Sequence, residues 1–120
     1  IYLHDNQIIA ESGNVTISNH DPSGHAEIMV LRKASEERKN HRIGGTLVVT
    51  LEPCVMCMGA MIQARIETLI FGAFDPRSGA AGSAFDLSNS PKLNHKINVI
   101  GGVMENECKD LIQGFFQSKR

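Results

Sequence analysis

The sequence predicts a single α/β domain over residues 1–120, in which helices flank one five-stranded sheet. The chain has 120 residues, 42% hydrophobic and 21% charged, which is ordinary for one globular core. Segments with strand character alternate with segments of helical periodicity, a pattern typical of α/β sheets. The sequence has no internal repeat and no low-complexity linker, so we expect no domain boundary.

The opening segments predict a β-hairpin followed by a helix. Residues 1–4 and 7–10 are rich in apolar side chains and flank Asp5-Asn6, a pair typical of tight turns. The Pro- and Gly-containing segment 19–24 predicts a loop. From Ala26 to about Lys39, apolar and charged residues alternate with helical periodicity.

The middle of the chain predicts a strand, a helix and a second strand. Gly44-Gly45 separates the first helix from residues 46–50, which are mostly β-branched and typical of a strand. Pro53 suits the first turn of a helix over residues 54–65. That helix is apolar on most sides, so we expect it to be buried. Residues 68–71 form the next predicted strand.

The last third predicts a long loop, a strand and an amphipathic helix. Residues 72–94 are rich in Gly and Ser, with one helical turn expected near 84–87, and loops of this length often carry function. Residues 97–100 predict the last strand, and residues 105–116 the last helix. Parallel pairing is expected after the hairpin, which brings sites to the carboxyl ends of the strands.

Charge and cysteine content limit the possible classes of protein. The net charge of −1 does not indicate nucleic-acid binding, although a local basic patch stays possible. We find no apolar run of membrane-spanning length and no signal peptide. Three cysteines, two of them in a C-x-x-C, suit metal binding in a reducing cytoplasm better than a disulfide framework. The chain begins with Ile1 rather than Met, so we expect a missing N-terminal segment.

Two short motifs predict a catalytic zinc site. His25-Ala26-Glu27 and Pro53-Cys54-Val55-Met56-Cys57 match H-x-E…P-C-x-x-C, the signature of zinc-dependent deaminases. One imidazole and two thiolates leave the fourth tetrahedral position open for water. Cys54 and Cys57 share a helix face, and the helix N-terminus is expected to lower their pKa values. Glu27 would move the proton from water to the substrate ring.

Other interpretations of these residues stay open. A C-x-x-C also occurs in redox pairs and in structural zinc sites, but a structural site needs a fourth protein ligand. Cys108 lies on the apolar face of the last predicted helix, where core packing is the simpler interpretation. The remaining histidines lie in polar contexts without ligand spacing; they are His4, His20, His41 and His95.

Five blocks of the sequence resemble the bacterial tRNA-specific adenosine deaminases. They are residues 24–29, 50–61, 71–83, 93–95 and 115–116, and the resemblance covers essentially the whole chain. The zinc signature alone fits the wider cytidine deaminase superfamily. The sequences Glu-Pro-Cys-Val-Met-Cys and Gly-Ala-Ala-Gly-Ser narrow the resemblance from that superfamily to the tRNA enzymes.

The resemblance implies a three-layer α/β/α, cytidine-deaminase-like fold with a mixed five-stranded sheet, and a cytoplasmic homodimer. It also implies one Zn²⁺ per subunit held by His25, Cys54 and Cys57, with Glu27 as the catalytic proton shuttle. The implied reaction converts adenosine to inosine at the wobble position of an arginine tRNA. Deamination of a free base or nucleoside, such as guanine or cytosine, is the alternative. A zinc-stabilised binding module without catalysis is a third interpretation.

The resemblance further implies a set of substrate-binding residues. Asn14 would bond the ribose or the base, while the backbone of Ala26 and of Glu52-Pro53 would line the base pocket. Asp75 and Arg77 would meet the nucleotides around the flipped base. Phe116 would stack on a base, with Lys119 and Arg120 near phosphate. The alternatives are a turn residue for Asn14, a surface turn for the 75–77 segment, and core or solvent positions for the last three.

Two departures from the family pattern carry expectations of their own. The family begins with a helix that leads into the first strand, whereas this chain starts inside that strand. Without that helix, we expect one face of the sheet to lose part of its cover. Met58 stands where the family usually has a smaller residue, and we expect it to press on the helix or on a dimer contact.

Overall fold

A computed structural model describes the backbone of residues 1–118 and the side chains of residues 1–114. Its core is a five-stranded sheet in the order β2-β1-β3-β4-β5. The strands are β1 (Tyr2–His4), β2 (Gln7–Ala10), β3 (Thr46–Leu51), β4 (Thr68–Ala73) and β5 (Asn98–Ile100). The helices are α1 (Ala26–Arg38), α2 (Val55–Gln63) and α3 (Glu105–Ser118).

The sheet is mixed, as the sequence predicts. β1 and β2 form the expected hairpin, in which Asp5 and Asn6 have φ angles of 51° and 61°. Two consecutive positive φ angles are the signature of a type I′ turn, whose twist matches that of the paired strands. β1 also pairs antiparallel with β3, whereas β3–β4 and β4–β5 are parallel. The carboxyl ends of β3 and β4 therefore meet at one edge of the sheet.

Helices cover both faces of the sheet, which confirms the three-layer α/β/α prediction. Leu47 and Leu69 are register partners on neighbouring strands, and both are fully buried in one core with Val30 of α1 and Met58 of α2. Met58, expected to press on the helix or on a dimer contact, lies fully buried in the core of the domain. Gly72 faces α3 on the opposite side, so close to the Cys108 side chain that a Cβ there would lie 2.2 Å from Sγ.

The second helix differs from its prediction at both ends. Pro53 is not in its first turn, because Cys54 is the N-cap and α2 begins at Val55. The helix also ends at Gln63, two residues before the predicted boundary. Its burial is one-sided rather than complete, since the Val55 and Met56 side chains are 46% and 37% exposed.

The long loop contains no helical turn near 84–87, so that expectation is wrong. The chain instead folds back on itself, with an isolated bridge between Ala81 and Asp86. The Gly82 amide donates to the Phe85 carbonyl at 2.8 Å, and the Leu87 amide to Ala80 at 3.0 Å. Glycine and serine allow this tight antiparallel return, which outweighs the weak helical pattern.

The last helix is amphipathic, but the sheet covers its apolar stripe only in part. Cys108 and Ile112 are half-buried, whereas the Leu111 side chain is 66% exposed. α3 packs against β3 and β4. Over the stretch that the structure describes, every helix falls short of the length and apolar character needed to span a bilayer.

Candidate metal and catalytic site

The three predicted metal donors meet at the carboxyl edge of the sheet. His25 is the N-cap of α1, and Cys54 is the N-cap of α2. Cys57 lies in the first turn of α2 and is fully buried, whereas His25 and Cys54 are half-buried. Two helix N-termini thus meet, as the sequence predicts, with the more accessible donors on the solvent side.

The spacing of the donor atoms fits a tetrahedral zinc ion. His25 Nδ1 lies 3.6 Å from Cys54 Sγ and 3.4 Å from Cys57 Sγ, and the two sulfurs are 3.7 Å apart. A regular tetrahedron with Zn–N and Zn–S bonds of about 2.0–2.1 and 2.3 Å has N–S and S–S edges of about 3.6 and 3.8 Å. The three atoms therefore already occupy three corners of such a tetrahedron.

The donor set leaves one corner of that tetrahedron free. Among the described side chains, no fourth His, Cys, Asp or Glu donor joins the cluster within 4.8 Å. His95, considered from the sequence as a fourth ligand, instead bonds through Nε2 to the Ile66 carbonyl at 2.7 Å, ahead of the start of β4. Three protein donors with one open position are typical of catalytic rather than structural zinc.

The pKa of the Cys57 thiol differs from the value expected from the sequence. Burial raises the pKa of the Cys57 thiol well above its usual range, and the nearby Glu27 carboxylate and Cys54 add to this rise. The pKa of Cys57 in the metal-free protein is therefore raised, not lowered as expected from its place at the helix N-terminus. A divalent cation would supply the positive charge that a buried thiolate beside a carboxylate requires.

Glu27 lies beside the donor triad on the first turn of α1. Its side chain is half-buried, and its negative charge helps to raise the pKa of the Cys57 thiol. Among the described residues, the ion pair joins His4 and Asp5 and does not include Glu27. A carboxylate next to a metal site, with no basic side chain of the described region to neutralise it, can accept a proton.

Glu52 has a role in the structure that sequence reasoning missed. Its side chain is 3% exposed, and its carboxylate accepts hydrogen bonds from the amides of Asp75 (3.0 Å), Ala81 (3.0 Å) and Ser83 (3.1 Å). The Ser83 hydroxyl donates a fourth bond. Burial acts to raise the pKa of Glu52, but these hydrogen bonds outweigh it and lower the pKa below its usual value. The sequence motif predicts that the Glu52 backbone lines a base pocket, but it does not indicate the hydrogen bonds of the Glu52 side chain.

The predicted substrate residues Asp75 and Arg77 lie in the loop whose amides bond to Glu52. The Asp75 carboxylate accepts bonds from the Arg77 and Ser78 amides at 3.1 and 3.2 Å, which closes a turn. The Arg77 side chain is exposed. The loop therefore presents Arg77 outward, while the Asp75 carboxylate is engaged within its own turn.

Asn14 lies in the loop after β2, which ends at Ala10 as the sequence predicts. Its side-chain oxygen accepts bonds from the Thr16 amide and hydroxyl at 2.9 and 2.8 Å. The Val15 amide next to it donates to the Gly24 carbonyl at 2.8 Å, one residue before His25. Asn14 is thus next in sequence to a residue bonded to the neighbour of His25, and its side-chain nitrogen has no hydrogen-bond partner among the described residues.

The backbone groups predicted to line a base pocket are partly engaged within the protein. The Pro53 carbonyl accepts from Ala80 at 2.8 Å, and the Glu52 amide donates to Ala73 at 2.9 Å. Ala26 is the half-buried first residue of α1. The side chain of Phe116, and all of Lys119 and Arg120, lie outside the described residues.

Comparison with known proteins gives consistent relatives over the whole chain. The MafB19-like deaminase family matches residues 1–120. A tRNA-specific adenosine deaminase of Haemophilus influenzae is 45% identical over 114 residues, covering 94% of this chain and 66% of that protein. The corresponding Bacillus subtilis protein is 38% identical over 121 residues, covering 100% of this chain and 75% of its own length.

A solved structure agrees in fold as well as in sequence. It comes from a study of A-to-I editing by tRNA:A34 deaminases at the wobble position of transfer RNA. It superposes with a TM-score of 0.88 at 40% identity, covering 92% of this chain and 81% of the other. With the His/Cys/Cys geometry, these matches show that the chain belongs to the family of tRNA-specific adenosine deaminases, which are enzymes of the cytidine-deaminase-like fold.

Proposed function

We propose that this protein hydrolyses adenosine to inosine at the wobble position of an arginine tRNA, with one zinc ion per subunit. The observation that carries the proposal is the donor triad, whose edges of 3.4, 3.6 and 3.7 Å match those of a tetrahedral zinc ion. Membership in the deaminase family supports adenosine in tRNA as the substrate. It favours this reaction over deamination of free guanine or cytosine.

The chemistry follows from the residues at the triad. Zinc bound to His25, Cys54 and Cys57 would lower the pKa of a water molecule to about 7. Glu27 would accept a proton from the attacking water and deliver it to the ring nitrogen, as the water oxygen bonds to C6 of adenine. Glu27 would then carry the proton of the new C6 hydroxyl to the exocyclic amine. The C–N bond breaks and ammonia leaves, so that water and adenosine give inosine and ammonia.

The anticodon loop suits this site because its bases are single-stranded. Unstacked bases can be extruded at little cost, and proteins read them by stacking and by hydrogen bonds. We propose that Asn14, Asp75, Arg77 and Phe116 contact the nucleotide and its neighbours. The free amide nitrogen of Asn14 and the exposed side chain of Arg77 support this for two of them.

The backbone of Ala26 and of Glu52-Pro53 is proposed to line the base pocket. These residues flank the donors His25 and Cys54 directly in sequence, which supports their place next to the reacting base. The carbonyls and amides already bonded within the protein would contribute shape rather than new hydrogen bonds.

We also propose a homodimer in the cytoplasm. An open groove of about 1170 Å³ lies between α1 and α2 and is lined in part by exposed Met56, and the next residue in the chain, Val55, is exposed as well. Cysteines that are all free suit a reducing compartment. Sedimentation should give twice the 13.1 kDa chain mass at micromolar concentration, and monomer alone would contradict the dimer.

The test is inosine formation in an arginine tRNA with adenosine at the wobble position. Glu27→Gln keeps the shape of the side chain but cannot accept the proton, so it should lower turnover at least about 100-fold. Glu37→Gln, an exposed glutamate on the same helix, is the matched control and should keep parental turnover.

Two further substrates complete the experiment. A tRNA with adenosine moved to another loop position should give little inosine, and free guanine or cytosine should give no ammonia. Ammonia from a free base, with none from tRNA, would replace the proposal by the alternative activity. Equal turnover in the parent and in Glu27→Gln would refute the role of Glu27.

A further inference from the structure

The 75–83 segment is attached to the metal-ligand segment through one buried carboxylate. Glu52 stands between the end of β3 and the ligand Cys54, and its four hydrogen-bond donors all belong to residues 75–83. The neighbouring Pro53 carbonyl accepts a further bond from Ala80 at 2.8 Å. Two consecutive residues thus tie the segment to the chain that leads directly into Cys54.

The fit between the Glu52 carboxylate and the segment is close at Gly79. A Cβ on Gly79 would lie 2.4 Å from the Glu52 carboxyl carbon, so a glycine is required for the segment to approach. The Glu52 side chain is 3% exposed and takes no part in the ion pair found among the described residues. Its negative charge is therefore stabilised by N–H and O–H donors of the segment rather than by a basic side chain.

This arrangement requires a carboxylate. Four donors point at two oxygens, and a carboxylate is the side-chain group that offers acceptors only. A glutamine would direct an NH₂ group at one pair of donors, leaving buried N–H groups without acceptors. Such donors are expensive to leave unsatisfied, so the segment would move away.

We infer that Glu52 is a positioning residue that holds the 75–83 segment, with Asp75 and Arg77, in the place where it meets the RNA substrate. The Glu52 carboxylate is buried and bonded within the protein, so it does not contact a nucleotide. Its effect is on substrate affinity through the segment, and not on the metal or on the proton transfer by Glu27. The kinetic part of this inference rests on the proposed function, but the structural part does not.

The first arm of the test needs no substrate. Glu52→Gln should increase hydrogen exchange of amides 75–83 at least about tenfold, because it removes charge-assisted hydrogen bonds. Asp86→Asn is the matched control, since that exposed carboxylate of the same loop bonds only to Ser88. Ser83→Ala removes only the hydroxyl bond and should give a smaller increase. If Glu52→Gln does not fold, Ser83→Ala provides the hydrogen-exchange test in its place.

The second arm measures kinetics with the zinc-loaded protein. Glu52→Gln should raise the KM for the tRNA about tenfold, with kcat at saturation within about twofold and zinc content unchanged. A lower kcat at unchanged KM, or loss of zinc, would overturn the positioning role. Unchanged exchange in both Glu52→Gln and Ser83→Ala would overturn it even if the parent made no inosine, an outcome that would count separately against the proposed function.

Discussion

The contact between Gly72 and Cys108 allows a quantitative test of how α3 docks on the sheet. A Cβ added at Gly72 would lie 2.2 Å from Cys108 Sγ, 2.6 Å from its Cβ and 3.0 Å from the Thr50 carbonyl. Real Cβ atoms do not approach so closely, so Gly72→Ala must push α3 outward. Overpacking of this kind lowers the free energy of unfolding by about 1–3 kcal/mol. For a chain of this size that corresponds to a fall in Tm of about 4–12 °C.

The assay is thermal and urea unfolding of a double-mutant cycle. Cys108→Ala alone removes a half-buried sulfur and should lower the free energy of unfolding by about 1 kcal/mol. In the double variant Sγ is gone, but the Cys108 Cβ contact at 2.6 Å stays, so rescue should be partial. We expect the double variant to be about 1 kcal/mol more stable than the sum of the single changes predicts.

Gly114→Ala in α3 is the control, because a Cβ there would meet nothing within 4 Å. It should raise the free energy of unfolding by about 0.5–1 kcal/mol, since alanine favours the helix. A Gly72→Ala variant as stable as the parent, or additive effects of Gly72→Ala and Cys108→Ala, would contradict the prediction. Either result would mean that α3 does not rest on β4 through this pair.

The remaining predictions concern the metal, the acid range and the first turn. Cys54→Ala should abolish zinc binding whereas Cys108→Ala should keep one zinc per chain by elemental analysis; loss of zinc in the latter would contradict the donor set. Because the pKa of Glu52 is lowered by folding, its stabilising effect is complete above its unfolded pKa and is lost as the pH falls through the folded value. The free energy of unfolding, measured in urea across the acid range, should therefore depend less on pH in Glu52→Gln than in the parent. An equal pH dependence in the two proteins would contradict this effect of Glu52. Asn6→Gly should raise Tm slightly, because position 6 has a φ of 61°; a lower Tm would count against the type I′ turn.

Sequence reasoning succeeded where local chemistry decides the outcome. The hairpin followed from Asp5-Asn6, and the donor triad followed from the spacing of His25, Cys54 and Cys57. Both depend on patterns a few residues long, together with the rule that parallel strands bring their carboxyl ends to one edge.

It failed where distant contacts override a local pattern. Pro53 favours a first helical turn, but its carbonyl bonds to Ala80, and Cys54 takes the cap instead. Glu52 was interpreted through its backbone alone, because nothing local reveals that four donors from residues 75–83 will converge on its side chain. Local sequence cannot specify such partners without the fold.

The site is built almost entirely from contacts between residues far apart in the chain. His25 is separated from Cys54 and Cys57 by 29 and 32 residues, and Glu52 from its amide donors by 23, 29 and 31. Contacts of such long range depend on the sheet that brings these segments together, because closing the intervening loops costs chain entropy. A partly folded chain would therefore lack both the donor triad and the anchored 75–83 segment at once. Metal uptake and RNA binding should appear together in a refolding experiment, at the step that completes the sheet.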